Sequence, residues 1–312
     1  MSSQWHRKIE LLVFSENSAL DLSEMHIKFT IAAADAETPN SASIRIYNLS
    51  QSTVNQLTVD SEFKSVSLAA GYEGGTFGTI FQGDIKQYRI GKENAVDTYL
   101  DILAADGSLG YVNSVVNDSI KKGSTAQDRL NWIAKSMNMP ADIGTISTDL
   151  QHLTLPRGKV AFGMARTFMR NTASSLDATW SIQGGRIELI PTAGYMEDEI
   201  VSLTAATGLI GMPEQTDEGI RATCLLNSRL RIGRLMAIDA SSINKLVYPT
   251  NSAKPTTYNS YGTLQLSAKI NMQDGQYRML VVEHEGDTRG TAWYSHIVGL
   301  AFDETKNKVL AP

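Results

Sequence analysis

Glu283, His284, Glu285 and Asp287, followed by His296, form the densest group of potential metal ligands and acid–base side chains in the 312-residue chain. Carboxylates and imidazoles in such a group could hold a divalent cation or move a proton, provided that they converge on one point. Their spacing argues against convergence. Residues 277–285 read as a strand, whose successive side chains point to opposite faces, so Glu283 and Glu285 share one face and His284 takes the other. Without a bulge they cannot surround one ion, and no metal or cofactor is expected. Asp287 and Arg289 have a better use as turn-stabilising residues. Gly286 and Gly290 bracket a turn in which Asp287, Thr288 and Arg289 can bond the backbone or one another.

Other constellations fail on similar grounds. Glycoside hydrolysis needs an acid in a pocket facing a second carboxylate across a cleft, whereas Glu197, Asp198 and Glu199 are contiguous on a polar stretch. There is no G-x-S-x-G elbow, Walker-type loop or H-E-x-x-H helix. GYEGGTFG, residues 71–78, is rich in glycine but has no phosphate-pairing lysine and reads as a hairpin loop. The single cysteine, Cys224, excludes an intramolecular disulfide and falls on an apolar strand position, where a small buried hydrophobe is expected. Arg221, Arg229, Arg231 and Arg234 form the one basic cluster. Arg229 and Arg231 share a strand face; they could meet carboxylates of a neighbouring subunit or be scattered solvated arginines, and both readings stand.

The elements that would carry these residues fall into three stretches. Residues 1–106 alternate in strand fashion, with Ile27, Phe29 and Ile31 opposing His26, Lys28 and Thr30; glycines cut the rest into short runs. A closed antiparallel barrel is expected, with a short helix at residues 51–57 after a Ser50 cap. Residues 107–199 read as an α+β insert. Ser124 and Gln127 suggest a capping box for a helix whose buried face is Ala126, Leu130, Ile133, Ala134 and Met137, ended by Pro140. A second amphipathic helix is expected over residues 160–175, then a hairpin, WSIQ-GG-RIELI. Strands return over residues 200–312: Ile220, Ala222, Cys224 and Leu226 share one face, and Leu264, Leu266, Ala268 and Ile270 share another. The run 277–282, apolar on both faces, should be a central strand. A polar loop is expected over residues 247–262.

Composition excludes further classes. Lys+Arg against Asp+Glu is 8 to 14 over residues 1–106, 9 to 6 over 107–190 and 11 to 13 over 191–312, or −6, +3 and −2 within a total of −5. No basic stripe suits a nucleic-acid binder. No window approaches the ~20 apolar residues of a membrane span, so no stable membrane insertion is expected. The N-terminal MSSQWHRKIELLVF lacks signal-peptide character, which reads as a product made in the cytoplasm.

Three strings in the last third carry a pattern: G-x-P-E-Q-T-D-x-G at residues 211–219, LLN-x-R-L-x-x-G at 225–233 and EH-x-GDTRG-x-x-W at 283–293. With DLSEMHIKFTI, TPNSASIRIYNLSQSTV, VSLAAGYEGG and IFQGDI in the first stretch, they resemble the baseplate hub proteins of contractile-tailed bacteriophages. The resemblance covers both ends and is looser over residues 107–200. It implies a mainly β fold, two tube-like antiparallel β-barrel domains (1–106 and 200–312) flanking a smaller α+β insert domain (107–199). It also implies a structural virion protein rather than an enzyme: a homotrimeric hub joining a hexameric tail tube to a trimeric spike. Its implied partners are the tail tube protein, the spike protein, and baseplate wedge and tape-measure proteins, with DNA only in passage through a channel. The acidic first stretch, with Asp21, Glu24, Asp84, Asp97 and Asp101, could line that channel or serve solubility. The alternative from another class is a tail-tip peptidoglycan hydrolase; a carbohydrate- or receptor-binding β protein, resting on Tyr258 and Tyr261, ranks below both.

Overall fold

The computed structural model describes residues 6–16, 18–58, 63–144, 154–216, 219–238, 275–303 and 308–309. The alternating residues of the first stretch form β1 (Arg7–Phe14), β2 (Ala19–Asp21), β3 (Ile27–Ala34), β4 (Ser41–Tyr47), β5 (Ser65–Tyr72), β6 (Gly78–Lys92) and β7 (Thr98–Ala105). One helix interrupts them, α1 (Gln51–Thr58), where Ser50 Oγ accepts the Thr53 N–H at 3.1 Å. The inward side chains, among them Leu11, Val13, Ile27, Ile44, Leu68 and Ile102, make one core.

The middle stretch has α2 (Ser108–Asn113), β8 (Val115–Ile120), α3 (Ala126–Met137), β9 (Ala141–Ile143), β10 (Lys159–Met164), α4 (Ala165–Ser175), β11 (Ala178–Gln183) and β12 (Arg186–Pro191). The buried residues of α3 are the five apolar positions expected, but its cap lies one residue later. Thr125 and Asp128 bond each other's backbone in the capping box, while the Ser124 hydroxyl donates to the Lys121 carbonyl. The second helix is also shorter than its periodicity suggested. Residues 159–164 pair with β8, because Ala161 fills the core while Val160 and Phe162 face outward, a period of two rather than 3.6. β11 and β12 form the hairpin, turning through Gly184 (φ 59°) and Gly185 (φ 76°), values that disfavour any side chain. These elements enclose a second core around Leu130, Met169 and Trp180.

The last stretch has β13 (Val201–Leu203), β14 (Leu209–Thr216), β15 (Gly219–Leu225), β16 (Leu235–Ile238), β17 (Gln276–Asp287), β18 (Trp293–Asp303) and β19 (Lys308–Val309). A third core gathers Ile220, Cys224, Met236, Met279 and Ile297. The expected strand at residues 262–272, the loop at 247–262 and Tyr258 and Tyr261 lie outside the described residues.

The fold is mainly β, yet the expectation of two closed barrels is corrected. Among the described residues one 14-stranded sheet runs through both β-rich stretches in the order β14-β15-β18-β17-β3-β4-β7-β6-β5-β1-β2, with β13, β16 and β19 attached beside it. The reason is β17. Its first half pairs with β16, its second half pairs with β3 from Val281↔Ala34 to Asp287↔Lys28, and β18 covers its other side. The edge of β3 that could have closed a first barrel is thus occupied by a strand from the other stretch, which satisfies its backbone groups equally well. A bulge between Met279 and Val281 marks the change of partner.

Candidate assembly site

The GDTRG turn joins β17 to β18. The Asp287 carboxylate accepts the backbone N–H groups of Arg289 (2.9 Å) and Gly290 (2.8 Å) and the Nε2–H of His26, the residue before β3 (2.8 Å). Burial alone would raise its pKa, but these donors outweigh burial and hold the carboxyl below the usual range. A Cβ at Gly290 would stand 2.5 Å from Asp287 Oδ2, so the turn closes only around glycine. Thr288 and Ile27 bond each other twice, Thr288 N–H to the Ile27 carbonyl and Ile27 N–H to Thr288 Oγ1, both at 3.0 Å. From β1, the Arg7 guanidinium donates to the carbonyls of Asp287, Gly290 and Thr291 and lies over Trp293. The turn therefore ties β1 and β3 to the last stretch. Only the Arg289 side chain is left facing solvent.

The LLN-x-R-L-x-x-G turn stands between two cores. Leu226 enters the first, Leu230 and Ile232 the third, and Ser228 Oγ reaches the Thr76 carbonyl of the β5–β6 loop. The four arginines divide. Arg229 is exposed and 3.4 Å from Glu199, Arg231 is exposed, and Arg221 is exposed on β15. Arg234 is turned inward: it donates to both Glu188 oxygens, at 2.5 and 2.7 Å, and lies 3.5 Å from Asp198.

That ion pair is one of several polar joints between the insert and the sheet; the sequence reading grouped Arg234 with the other arginines but foresaw none of these pairings. Asp106 accepts the N–H groups of Gly184 and Gly185 at 2.5 and 2.9 Å. Asn40 donates to the Ile182 carbonyl and Gln183 Oε1. Arg278 donates to the carbonyls of Pro191, Thr192 and Gly194, and stands 3.9 Å from Asp35, too far for a hydrogen bond. Burial consequently dominates both members, raising the Asp35 pKa and lowering that of Arg278. No local motif marks these residues; the one signal is a polar residue beside the end of a strand.

A cleft of ≈ 290 Å³ opens beside the joints, lined by Asp106, Asp142, Arg186, Glu188, Arg231, Arg234 and His284. Three carboxylates in a cleft invite comparison with a hydrolase. Asp142 is paired with Arg186 and Glu188 with Arg234. Burial pushes the Asp106 carboxyl up to about 6, but both of its oxygens accept backbone N–H groups, leaving neither for a leaving group. His284 is buried against Ser295 Oγ at 2.8 Å, and burial pushes its pKa down to about 4, so it is neutral at pH 7. Glu283 faces away from it into solvent. Glu197, Asp198 and Glu199 are exposed. Cys224 is buried, which pushes its thiol up to about 12. The acids of this cleft are thus committed to structural bonds, and among the described residues no three His, Cys, Asp or Glu converge on a metal position. No helix among them is long and apolar enough to cross a membrane.

This architecture recurs among solved structures. The chain is similar to the 43 kDa tail protein of prophage MuSo2 from Shewanella oneidensis, at TM-score 0.57 and 6% identity over 97% of this chain and 99% of that one. It is similar to the tail protein of Neisseria meningitidis MC58, at 0.56 and 10% over 95% and 96%. It is also similar to the E. coli c3393 protein, a component of the type VI secretion system, at 0.54 and 9% over 92% and 76%. At such identities the likeness speaks for the fold. No curated protein matches in sequence. The family is shown by a sequence model: baseplate hub gp41 matches residues 8–251, most of the chain, which therefore belongs to the baseplate hub gp41 family, a structural component of the virion tail.

Proposed function

We propose that the chain acts without catalysis as a homotrimeric adaptor between the hexameric tail tube and the trimeric spike. The observation that carries this reading is the continuous ladder from β14 to β2. One of its faces covers the first and third cores; the other, along β17, β3 and β4, bears short and polar side chains such as Thr30, Ala32, Ser41, Ser43 and Glu283, open to solvent. Three such sheets side by side would enclose a channel, with two β-rich units per chain matching sixfold symmetry on one side and threefold on the other. In this reading residues 1–106 and 200–312 are the two tube-like units, and the insert, 107–199, hangs on the spike side.

Asp84, Asp97 and Asp101 of the first stretch are held by hydrogen bonds, and one of them, Asp101, is neutralised by a cation. Asp101 accepts from Arg45 at 2.7 Å, and Asp97 and Asp84 accept from Asn48 and the Leu109 N–H. DNA would pass with little adhesion, since no cationic stripe is offered to its phosphates. Exposed Arg229, Arg231 and Arg289 are placed to meet carboxylates of neighbouring subunits. Wedge and tape-measure proteins would contact the outside and the tube end. A reconstruction of the intact tail tests this: three copies per baseplate with the β17–β3–β4 face inward are expected, and a monomer, an even-numbered ring or an outward-facing sheet would overturn it.

A further inference from the structure

β8 and β10 form a two-stranded ribbon whose inner face, with Val116 and Ala161, joins the core of the insert. The outer face is bare. It carries Val160 and Phe162, 80% and 79% exposed, with the exposed Val115 at one end and Asn117 and Ser119 across the ladder. The Ala165 N–H donates to the Ser114 carbonyl at 2.9 Å, which fixes the alternation: Gly163, Ala161 and Lys159 bond β8, while the N–H and C=O groups of Val160 and Phe162 point away from it. Among the described residues β10 has no second strand neighbour, so this edge is open. Proteins blunt open edges with charge, proline or a bulge, and the run from Val160 to Phe162 carries none of these. At the far end of the ribbon, where the Leu155 N–H donates to the Ser124 carbonyl at 3.0 Å, Lys121, Lys122 and Arg157 stand exposed. The acids of β8 and of the first turn of α3 are engaged: Asp118 accepts Trp132 Nε1–H at 3.3 Å, and Asp128 is held in the capping box. Asp128 feels the charge of Lys121, but none of the three cations forms an ion pair with a described residue.

We infer that the β10 edge receives an extended segment of a partner polypeptide, added as a third strand of the ribbon. Its apolar side chains lie beside Val160 and Phe162, and its acidic ones reach Lys121, Lys122 and Arg157. Main-chain bonds to an open edge supply the attachment, and alternate side chains on the outer face supply the choice of partner. Charge sets the chemistry of that partner: residues 107–190 are the one stretch with a positive balance, +3, and the ribbon's end holds cations without counter-ions. A lipid surface would also attract an apolar and basic ribbon. Hydrocarbon, however, offers nothing to the N–H and C=O groups of an open edge, and burying them unbonded is costly. A second copy paired edge to edge would present the same Val160, Phe162 and cations, and so would bring no carboxylate to them. The inference rests on the ribbon alone and not on the hub's symmetry or a channel.

The test uses the full chain and a fluorescein-labelled peptide of alternating Thr and Val ending in Glu-Glu, made with the acidic pair at either end to suit either strand direction. One of the two should bind saturably by anisotropy, and Lys-Lys in place of Glu-Glu should weaken it roughly tenfold or more. A strand turns alternate N–H groups to its neighbour, so N-methylation of every second residue should abolish binding in one frame and spare it in the other. The amides of Val160 and Phe162 should exchange more slowly in the complex. Phe162→Ser, at a side chain too exposed for the fold to need it, should weaken binding roughly tenfold. The inference is overturned if neither peptide saturates, if the Lys-Lys peptide binds equally, if both N-methyl frames behave alike, or if Phe162→Ser binds as the parent does. It is equally overturned if phosphatidylserine vesicles bind the chain while the peptides do not, which assigns the ribbon to lipid. Self-association lost in Phe162→Ser, without peptide binding, would assign it to a second copy.

Discussion

Arg234 and Arg129 are both withdrawn from solvent, and they meet opposite surroundings. Arg234 sits at the joint of insert and sheet with Glu188 on both prongs and Asp198 beside it. Arg129 sits within the insert with one hydrogen bond and two empty donors. The same side chain is a committed joint in one place and a buried group with unmet donors in the other, and the difference lies in whether the fold brings a carboxylate to it. A committed buried pair is costly to break, because removing one partner leaves the other charge buried and uncompensated.

Breaking the committed pair should have the largest effect. Glu188→Ala leaves Arg234 buried beside only the looser Asp198, and a loss of about 3–5 kcal/mol in denaturant unfolding is expected. A loss below about 1 kcal/mol would place Arg234 in the same class as Arg129 and remove the contrast.

Next in size is the cleft beside that joint, where two buried groups respond to acid in opposite senses. His284 has a folded pKa depressed to about 4, so the stability it carries is present above pH 6.5 and is lost as pH falls from there towards 4, about 3 kcal/mol in all. Asp106 has a folded pKa raised to about 6, so its neutral form favours the folded state and stability is gained as pH falls from 6 towards 3.8. Asp106→Asn should therefore steepen the acid loss relative to the parent, and His284→Gln should reduce it. Parallel pH profiles for all three proteins would show that neither group titrates as its burial requires.

The smallest effect concerns the GDTRG turn, a committed site nearer the surface. Asp287→Ala frees two backbone N–H groups and His26 in a place water can reach, so about 2 kcal/mol is expected, with the β17–β18 end the first to lose amide protection in hydrogen exchange. An unchanged exchange pattern would mean that Arg7 and Thr288 hold the turn unaided.

Much of the fold could be read from local periodicity. The alternation of Ile27 to Ile31, the apolar face of α3 and the double glycine of the β11–β12 hairpin each depend on neighbours a few residues away, and the structure has them as strand, helix and turn. Errors arose where two local readings compete. Residues 160–164 can satisfy a helical face on paper, but β8 offers a strand edge, and two adjacent hydroxyl residues left the start of α3 uncertain by one position. The bonds of Asp287 to the Arg289 and Gly290 N–H groups were also legible as a compact turn, since they lie within three residues, whereas the turn's ties to His26, Ile27 and Arg7 were not.

By itself the sequence determined the β-rich character, the α+β insert, the lack of a recognisable catalytic motif and the hub family, because each rests on short-range pattern or on motif strings. Only the tertiary structure decided that β17 pairs with β3, so that one open sheet replaces two closed barrels. It alone brought Asp106 to the hairpin, Glu188 to Arg234 and Arg278 to the end of β12, and left Arg129 without a carboxylate. Those side-chain partners lie from 46 to 87 residues apart in the chain. Nothing in local propensity distinguishes a strand edge that closes on its own barrel from one that accepts a distant strand, or a buried arginine that meets a carboxylate from one that does not; long-range packing settles both.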